Sequence, residues 1–144
     1  MELFLQIKNL NDALRKRGNS HLESLGLTIT QHFVLVYLNE NIGYGNSVPL
    51  KSLEKRFKVA QATMAGIIQR LETKGYVYCF NKPEDKRVKY VEISDKGKTF
   101  CESSKEFVKQ SEKKTRDLFT DEEYQHLQEY LERIYEFVSK EDIQ

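Results

Sequence analysis

The sequence contains little of what marks secreted, membrane-spanning or disordered proteins. Its 144 residues include two cysteines, two prolines, seven glycines and no tryptophan. The cysteines, Cys79 and Cys101, do not make the disulfide framework of a small secreted protein, so we expect a reducing, cytoplasmic location. So little proline and glycine argues against a disordered chain and against an all-β fold.

Long apolar runs and enzyme motifs are also absent. No stretch approaches the ~18–20 apolar residues of a membrane-spanning helix, and residues 1–8 do not have the pattern of a signal peptide, so we expect no membrane partner. No Gly-rich phosphate loop, HExxH or GxSxG motif occurs, and we predict neither an enzyme nor a cofactor. His21, His32 and His126 are far apart, so we predict no metal site unless distant residues converge in the fold.

Charge is distributed unevenly along the chain, although the net charge is only +1. Residues 51–90 carry ten basic and four acidic side chains, a net charge of +6, whereas residues 102–144 carry seven and twelve, a net charge of −5. A basic centre in a neutral or acidic chain predicts a surface for a polyanion. A solvated basic face without any partner is the alternative that charge alone leaves open.

Hydrophobic periodicity predicts a mainly α-helical chain with one β-hairpin. We expect helices over residues 2–17, 29–40, 50–57, 61–74 and 95–117, and a last helix after Thr120. Strands are expected over residues 76–80 and 87–93, joined by a polar turn at 81–86. The first helix is expected to loosen or end at residues 18–20, and residues 41–49 to form a loop. Thr28, Ser94 and Thr120 are the expected N-caps, and Gly75 is the expected left-handed C-cap.

A short helix, a turn, a second helix, a glycine and a charged hairpin follow one another in the order of a winged helix-turn-helix. In the second helix, residues 61–74, an apolar stripe of Met64, Ile67, Ile68 and Leu71 is predicted to be buried. The opposite face carries small or amide side chains that let a helix enter a major groove. The predicted DNA contacts of this helix are Gln61, Ala62, Thr63, Ala65, Gly66, Gln69 and Arg70.

The charged hairpin is predicted to act as the wing. Its predicted DNA contacts are Lys82, Asp85, Lys86, Arg87 and Lys89, with Arg87 the best candidate to enter a minor groove. Lys55 and Lys74 are predicted to lie near phosphates. The alternatives are an ordinary surface helix at 61–69 and an ion pair of Arg87 with Asp85 or Glu84, which is compatible with insertion.

The sequence resembles the MarR family of bacterial regulators (multiple antibiotic resistance regulators) over nearly its whole length. The resemblance is carried by Leu25–Phe33, by Ala62–Val77, by the wing Pro83-Glu84-Asp85-Lys86-Arg87 and by Val91–Gly97. The Asp-x-Arg wing, followed by an apolar residue and Thr or Ser, is the most specific of these signals. Here Ile93-Ser94 stands where Leu-Thr is commoner.

This resemblance implies a single MarR-like domain over residues 1–144, a winged helix-turn-helix plus N- and C-terminal dimerisation helices. The DNA-binding lobe would span residues 28–94, and the dimerisation helices would lie in 1–20 and 95–144. It implies a homodimer, and apolar stripes support one independently, although they can also pack within one monomer. The stripes are Leu3, Ile7, Leu10 and Leu14, and Leu127, Leu131, Ile134 and Val138. A two-fold dimer would place its recognition helices ~34 Å apart on double-stranded pseudo-palindromic DNA.

The resemblance further implies a transcriptional repressor that a small, often aromatic effector or thiol oxidation releases. Plausible residues of an effector pocket are Leu14, Phe33, Tyr37 and Phe100, and plain core is the alternative that we favour. We likewise favour Cys79 and Cys101 as small apolar residues over redox sensors. A winged-helix protein-interaction module without DNA binding is the alternative function.

Overall fold

The computed structural model describes residues 1–22, 25–41 and 47–141, and over these ranges the chain is helical with a small antiparallel sheet. The helices are α1 Leu3–Leu22, α2 Ile29–Glu40, α3 Leu50–Phe57, α4 Gln61–Thr73, α5 Asp95–Arg116 and α6 Asp121–Glu141. The strands are β1 Val48–Pro49, β2 Val77–Lys82 and β3 Asp85–Ile93, in the sheet order β1-β3-β2. The expected fold class, mainly α with a β-hairpin wing, is confirmed.

The N-terminal helix differs from the expectation. It continues through residues 18–20 to Leu22, so the prediction that it ends at residues 18–20 is wrong. A Cβ added at Gly18 would lie 3.0 Å from Cδ1 of Ile29, the first residue of α2. Gly18 is therefore explained by the close approach of two helices, which periodicity along a single segment does not reveal.

The sheet has one strand more than expected, and its hairpin is longer. Val48 and Pro49, predicted as loop, form β1 and pair with Val91 and Tyr90 of β3. Proline is compatible with an edge strand because it need not donate to a neighbour. The hairpin is also longer than predicted, since β2 continues to Lys82 and β3 begins at Asp85. Residues 42–46 of the predicted loop lie outside the described residues.

The predicted helix caps are confirmed. Thr28 and Gln31 form a reciprocal capping box at the start of α2, and Thr120 and Glu123 form another at the start of α6. Ser94 Oγ accepts a hydrogen bond of 3.1 Å from the amide of Gly97 at the start of α5. Gly75 has a φ of +83°, which provides the left-handed turn after α4.

One apolar core holds α4 in a defined orientation. The stripe of Met64, Ile67, Ile68 and Leu71 is buried together with residues of α2, α3 and the sheet. The core partners include Val34, Leu35, Leu38, Leu53, Val91 and Ile93. Because this stripe faces inward, the opposite face of α4 must face solvent.

The chain divides into two compact units, and the division falls within α5. The first covers residues 1–102 and contains the core, the sheet and α1 to α4, whereas the second begins at Ser103. The boundaries of the DNA-binding lobe inferred from the sequence, 28 and 94, remain predictions. None of the described helices has both the length and the apolarity to cross a membrane.

Candidate nucleic-acid interface

Helix α4 presents its predicted DNA-contact residues to solvent. Gln61, Ala62, Thr63, Ala65, Gln69 and Arg70 are exposed, and Gly66 is half-buried. The turn before α4 contains Lys58 in the left-handed region, with a φ of 53°. This tight turn follows α3 directly, so α3, the turn and α4 form the expected helix-turn-helix. All of the predicted DNA contacts on this helix lie outside the core.

The uncharged part of this face is long. From Gln61 to Gln69 there is no ionised side chain, and the first one on α4 is that of Arg70. A Cβ added at Gly66 would lie 3.5 Å from Nη1 of Arg70, so the guanidinium lies back along the helix beside Gly66. Amide, hydroxyl and methyl groups therefore dominate the surface that the first turns of α4 offer to a partner.

The wing, defined as the β2–β3 hairpin, holds Arg87 at its tip. Oδ1 of Asp85 accepts hydrogen bonds from the amide of Arg87 at 3.0 Å and from its Nε at 3.4 Å. The Arg87 side chain is nevertheless 93% exposed, so the ion pair orients it without covering it. The two alternatives that the sequence left open, an ion pair and a contact with a partner, are thus compatible.

Asn81 is a supporting residue that the sequence analysis missed. Its side-chain amide donates to the carbonyl oxygens of Lys86 and Val88, both at 2.9 Å, next to the register shift at Asn81 and Lys82. These bonds stabilise the backbone on both sides of Arg87. An asparagine beside a turn is a weak signal for such a role, since its partners depend on the register of the strands.

The lysines of the wing differ in their surroundings. Lys86 and Lys89 are exposed, whereas Lys82 is half-buried with its ammonium 4.2 Å from the centre of the Tyr90 ring. A cation held over an aromatic ring is less available to a phosphate. Lys86 and Lys89 therefore offer more of their charge to a polyanion than Lys82 does.

The two lysines predicted near phosphates also differ. Lys55 is exposed in the last turn of α3. Lys74 is half-buried, and its ammonium donates to the carbonyl oxygen of Gly26, in the connection before α2. Its own carbonyl oxygen accepts from the ammonium of Lys96 at 2.6 Å. Lys74 thus ties the end of α4 to α5 and to the segment before α2, and a phosphate would compete with that contact.

A further missed contact joins α4 to the wing. The Glu72 carboxylate accepts a hydrogen bond of 2.8 Å from the amide of Cys79 in β2. Burial, together with the hydrogen bond and the negative charge of Glu72, raises the pKa of the Cys79 thiol from 9.0 to about 11. Burial and the charge of Glu40 raise the pKa of Cys101 to about 11 as well. Both groups are therefore thiols, not thiolates, near neutral pH.

The residues suggested for an effector pocket are found in different environments. Phe100 is in the core, with its ring 5.6 Å from that of His32 and 5.7 Å from that of Tyr76. Phe33, also beside His32 at 5.7 Å, is 49% exposed, and Leu14 is 53% exposed. Tyr37 is half-buried against Phe57. Two of the four residues thus lie against the buried imidazole of His32.

Comparison with known proteins places this geometry in a family. Residues 27–89 match the model of the MarR family. The HTH-type transcriptional regulator BilQ of Clostridioides difficile (strain CD3) is 28% identical over 121 residues, which are 84% of this chain and 79% of BilQ. A MarR protein from Peptoclostridium difficile is 27% identical, with a TM-score of 0.78 over 98% of this chain and 90% of that one. The S. aureus MepR–DNA complex has a TM-score of 0.85 at 17% identity, over 94% of this chain and 98% of MepR.

These likenesses define the structural class of the chain and the family that it resembles. The arrangement of α3, α4 and the wing is that of a winged helix-turn-helix protein. Residues 27–89 carry the sequence pattern of the MarR family, and the relative BilQ, which matches most of the chain, is named a transcriptional regulator.

Proposed function

We propose that this regulator binds a pseudo-palindromic DNA operator as a homodimer, with α4 in the major groove and the wing over the adjacent minor groove. The observation that carries the proposal is Arg87, 93% exposed at a braced wing tip in the same unit as the outward face of α4. Arginine on a projecting hairpin suits the negative potential of a minor groove. The basic surroundings, Lys55, Lys86 and Lys89, suit the phosphates on either side.

The homodimer is supported by apolar helix faces that are exposed to solvent in a single chain. In α1, Leu3, Phe4, Leu10 and Leu14 are exposed, and in α6, Tyr130, Leu131, Phe137 and Val138 are exposed. Apolar faces of this extent on a small protein mark surfaces for association. In keeping with the family resemblance, we assign them to a second copy of the chain, which would give two-fold symmetry to the pair of α4 helices.

The decisive experiment compares Arg87→Ala with Arg116→Ala. Each variant removes an exposed arginine whose guanidinium nitrogen is 3.4 Å from an aspartate oxygen, but Arg116 lies outside the winged helix. We expect Arg87→Ala to weaken binding about tenfold or more to a duplex selected from random DNA, without loss of thermal stability. The measurement is fluorescence anisotropy at several salt concentrations.

The control, Arg116→Ala, is expected to bind that duplex like the wild type. The slope of log K against log salt should also be less steep by about one for Arg87→Ala. Unchanged binding by Arg87→Ala would refute the role of the wing. Failure to bind any duplex at low salt would instead favour the protein-interaction module.

The proposal also includes repression of transcription and its release by an effector. We propose that the dimer represses transcription from its operator and that a small aromatic effector, bound near Phe33 and Tyr37, releases it. Both residues are in the unit that holds α4, and Phe33 is half exposed. Titration of the protein–operator complex with phenol and with benzoate tests this, since an effector must lower operator affinity while it binds the protein.

A further inference from the structure

Residues 61–69, which form most of the exposed face of α4, lack the charged side chains that recognise G·C pairs. Guanine is contacted mainly by arginine or lysine at O6 and N7, and the amino group of cytosine by aspartate or glutamate. Residues 61–69 contain none of these four amino acids. In winged and other helix-turn-helix proteins the first turns of this helix contact the base edges. The base-contacting segment therefore has no direct means of selecting guanine or cytosine by charge.

The amide and methyl groups on the exposed face of α4 are suited to contacts with adenine and thymine. At about 100° per residue, Ala62, Gly66 and Gln69 follow the middle of the face opposite the buried stripe. Glutamine contacts N6 and N7 of adenine with both halves of its amide. The methyl groups of Ala62, Thr63 and Ala65 suit the C5-methyl group of thymine. Gly66 allows the backbone to approach the groove closely because no Cβ projects there.

Arg70 is the residue of this helix that could select guanine instead. Its position favours a contact with the DNA backbone over a contact with a base. At about 100° per residue Arg70 follows Gln69 towards the flank of the exposed face, so that of the two residues only Gln69 projects from the middle of it. The side chain of Arg70 starts from that flank and runs back along the helix, with the guanidinium beside Gly66. Its contribution to affinity is thus of the kind that phosphate contacts make, which is independent of sequence.

The wing gives a separate argument for A·T pairs, at the adjacent minor groove. Arg87 projects from a different element and would enter the minor groove. In that groove G·C pairs carry the N2 amino group of guanine, which A·T pairs lack. Runs of A·T pairs also narrow that groove and concentrate its negative potential, which attracts an arginine. An operator rich in A·T pairs therefore suits both α4 and the wing.

We infer that the base pairs under residues 61–69 of each α4 are A·T pairs, selected directly in the major groove through the Gln69 amide and the methyl groups beside it. This inference rests on the proposed function, since it specifies the DNA that the same site binds. Each bidentate contact discriminates by a factor of about 5 to 150.

Base analogues test the inference because they separate the two grooves. In the selected operator, inosine·cytosine pairs present the major groove of G·C and the minor groove of A·T. Diaminopurine·thymine pairs present the reverse combination. At the pairs under α4, we expect inosine·cytosine to lower affinity at least fivefold and diaminopurine·thymine to change it less than twofold. Deoxyuridine in place of thymidine should lower affinity a few-fold, because it lacks only the methyl group.

A protein variant identifies the side chain. Gln69→Ala should flatten the preference for adenine at one position of each half-site in a selection from random DNA, while affinity for other positions keeps its pattern. Gln125→Ala, which removes an exposed glutamine from α6, is the matched control and should leave the selected sequence unchanged.

The outcomes separate the inference from the function it rests on. Selected half-sites with G·C pairs under α4, or equal binding of inosine·cytosine there, would overturn the inference and leave DNA binding intact. A guanine whose selection disappears in Arg70→Ala would overturn it in the same way. If no duplex were bound above the non-specific level, the proposed function itself would fail and the inference with it.

Discussion

Residues of the same charge in this protein serve different purposes, and their surroundings decide which. Arg87 and Lys74 both belong to the basic segment 51–90. The guanidinium of Arg87 is braced by Asp85 and remains open to solvent, whereas the ammonium of Lys74 is bound to the Gly26 carbonyl. Net charge along a sequence therefore overstates the charge that is available to DNA.

Lys74→Ala should act on stability more than on DNA binding. Loss of the hydrogen bond to Gly26 is expected to lower the free energy of unfolding by about 1 kcal/mol, measured by urea denaturation. Lys86→Ala, at an exposed wing lysine, is the comparison and should leave stability unchanged while it makes the salt dependence of binding less steep by about one. The reverse pattern would establish Lys74 as the phosphate contact that the sequence suggested.

The cysteines are expected to react slowly. A pKa of about 11 in place of 9.0 lowers the thiolate fraction of Cys79 at pH 8, and from this alone alkylation should be about 100-fold slower than for an ordinary thiol. Because the pKa is raised, the rate should keep rising with pH beyond 9, where an ordinary thiol levels off. Mass spectrometry of iodoacetamide adducts measures this, with Cys101→Ser to isolate Cys79. Rapid alkylation at pH 8, or peroxide release of DNA that a Cys→Ser change abolishes, would contradict it.

At the scale of elements, local sequence patterns predicted the features that residues close together in the sequence determine, such as helix caps and apolar stripes. The caps at Thr28, Ser94 and Thr120 are satisfied within one turn, and the stripe on α4 is visible in its own spacing. For the same reason, solvent exposure of the α4 face followed from the buried stripe. The reason for a glycine inside α1 was not predictable, because Gly18 is close to Ile29, a residue of another helix.

The supporting contacts of the candidate site were also beyond local patterns. Asn81 bonds to carbonyl groups across the hairpin, Glu72 to the amide of Cys79, and Lys74 to a residue 48 positions away. Each contact needs the register of the hairpin or the packing of distant segments. β1 was missed in the same way, because two residues become a strand only beside β3.

Substitution by alanine is expected to have opposite effects on stability at two helical glycines, Gly97 and Gly66. At Gly97 an added Cβ would overlap the Tyr76 carbonyl oxygen and lie 2.6 Å from Cγ1 of Ile93. Since that oxygen also accepts from the amide of Ser94, the join between the sheet and α5 must shift. We expect Gly97→Ala to lower the free energy of unfolding by about 2 kcal/mol.

Gly66→Ala provides the matched comparison. The new methyl group would meet only Nη1 of Arg70, at 3.5 Å, and alanine favours the helix. Stability should therefore rise by about 0.5–1 kcal/mol, while operator binding weakens because the methyl group lies on the face towards DNA. Denaturant midpoints for both variants, with anisotropy for Gly66→Ala, test the pair. Equal stability changes at the two sites would contradict this account of Gly97.

At the scale of the whole molecule, the apolar faces of α1 and α6 carry the argument for two-fold association. Phe137 is 61% exposed and Leu10 is 58% exposed, and both helices are amphipathic. We expect sedimentation to show a dimer at micromolar concentration. A monomer under those conditions would leave each winged helix to bind DNA alone.

The proposed dimer would also fix the distance between the half-sites of the operator. Half-sites about 10 base pairs apart lie on one face of the duplex, where both α4 helices can enter the major groove at once. Insertion of 5 base pairs turns one half-site by about half a turn, so only one α4 can engage. Affinity should then fall by at least about 100-fold, to that of a duplex with a single half-site, because the second contact is no longer intramolecular. A substitution of the same central bases without insertion controls for their identity, and binding that is indifferent to spacing would show that the two winged helices act independently.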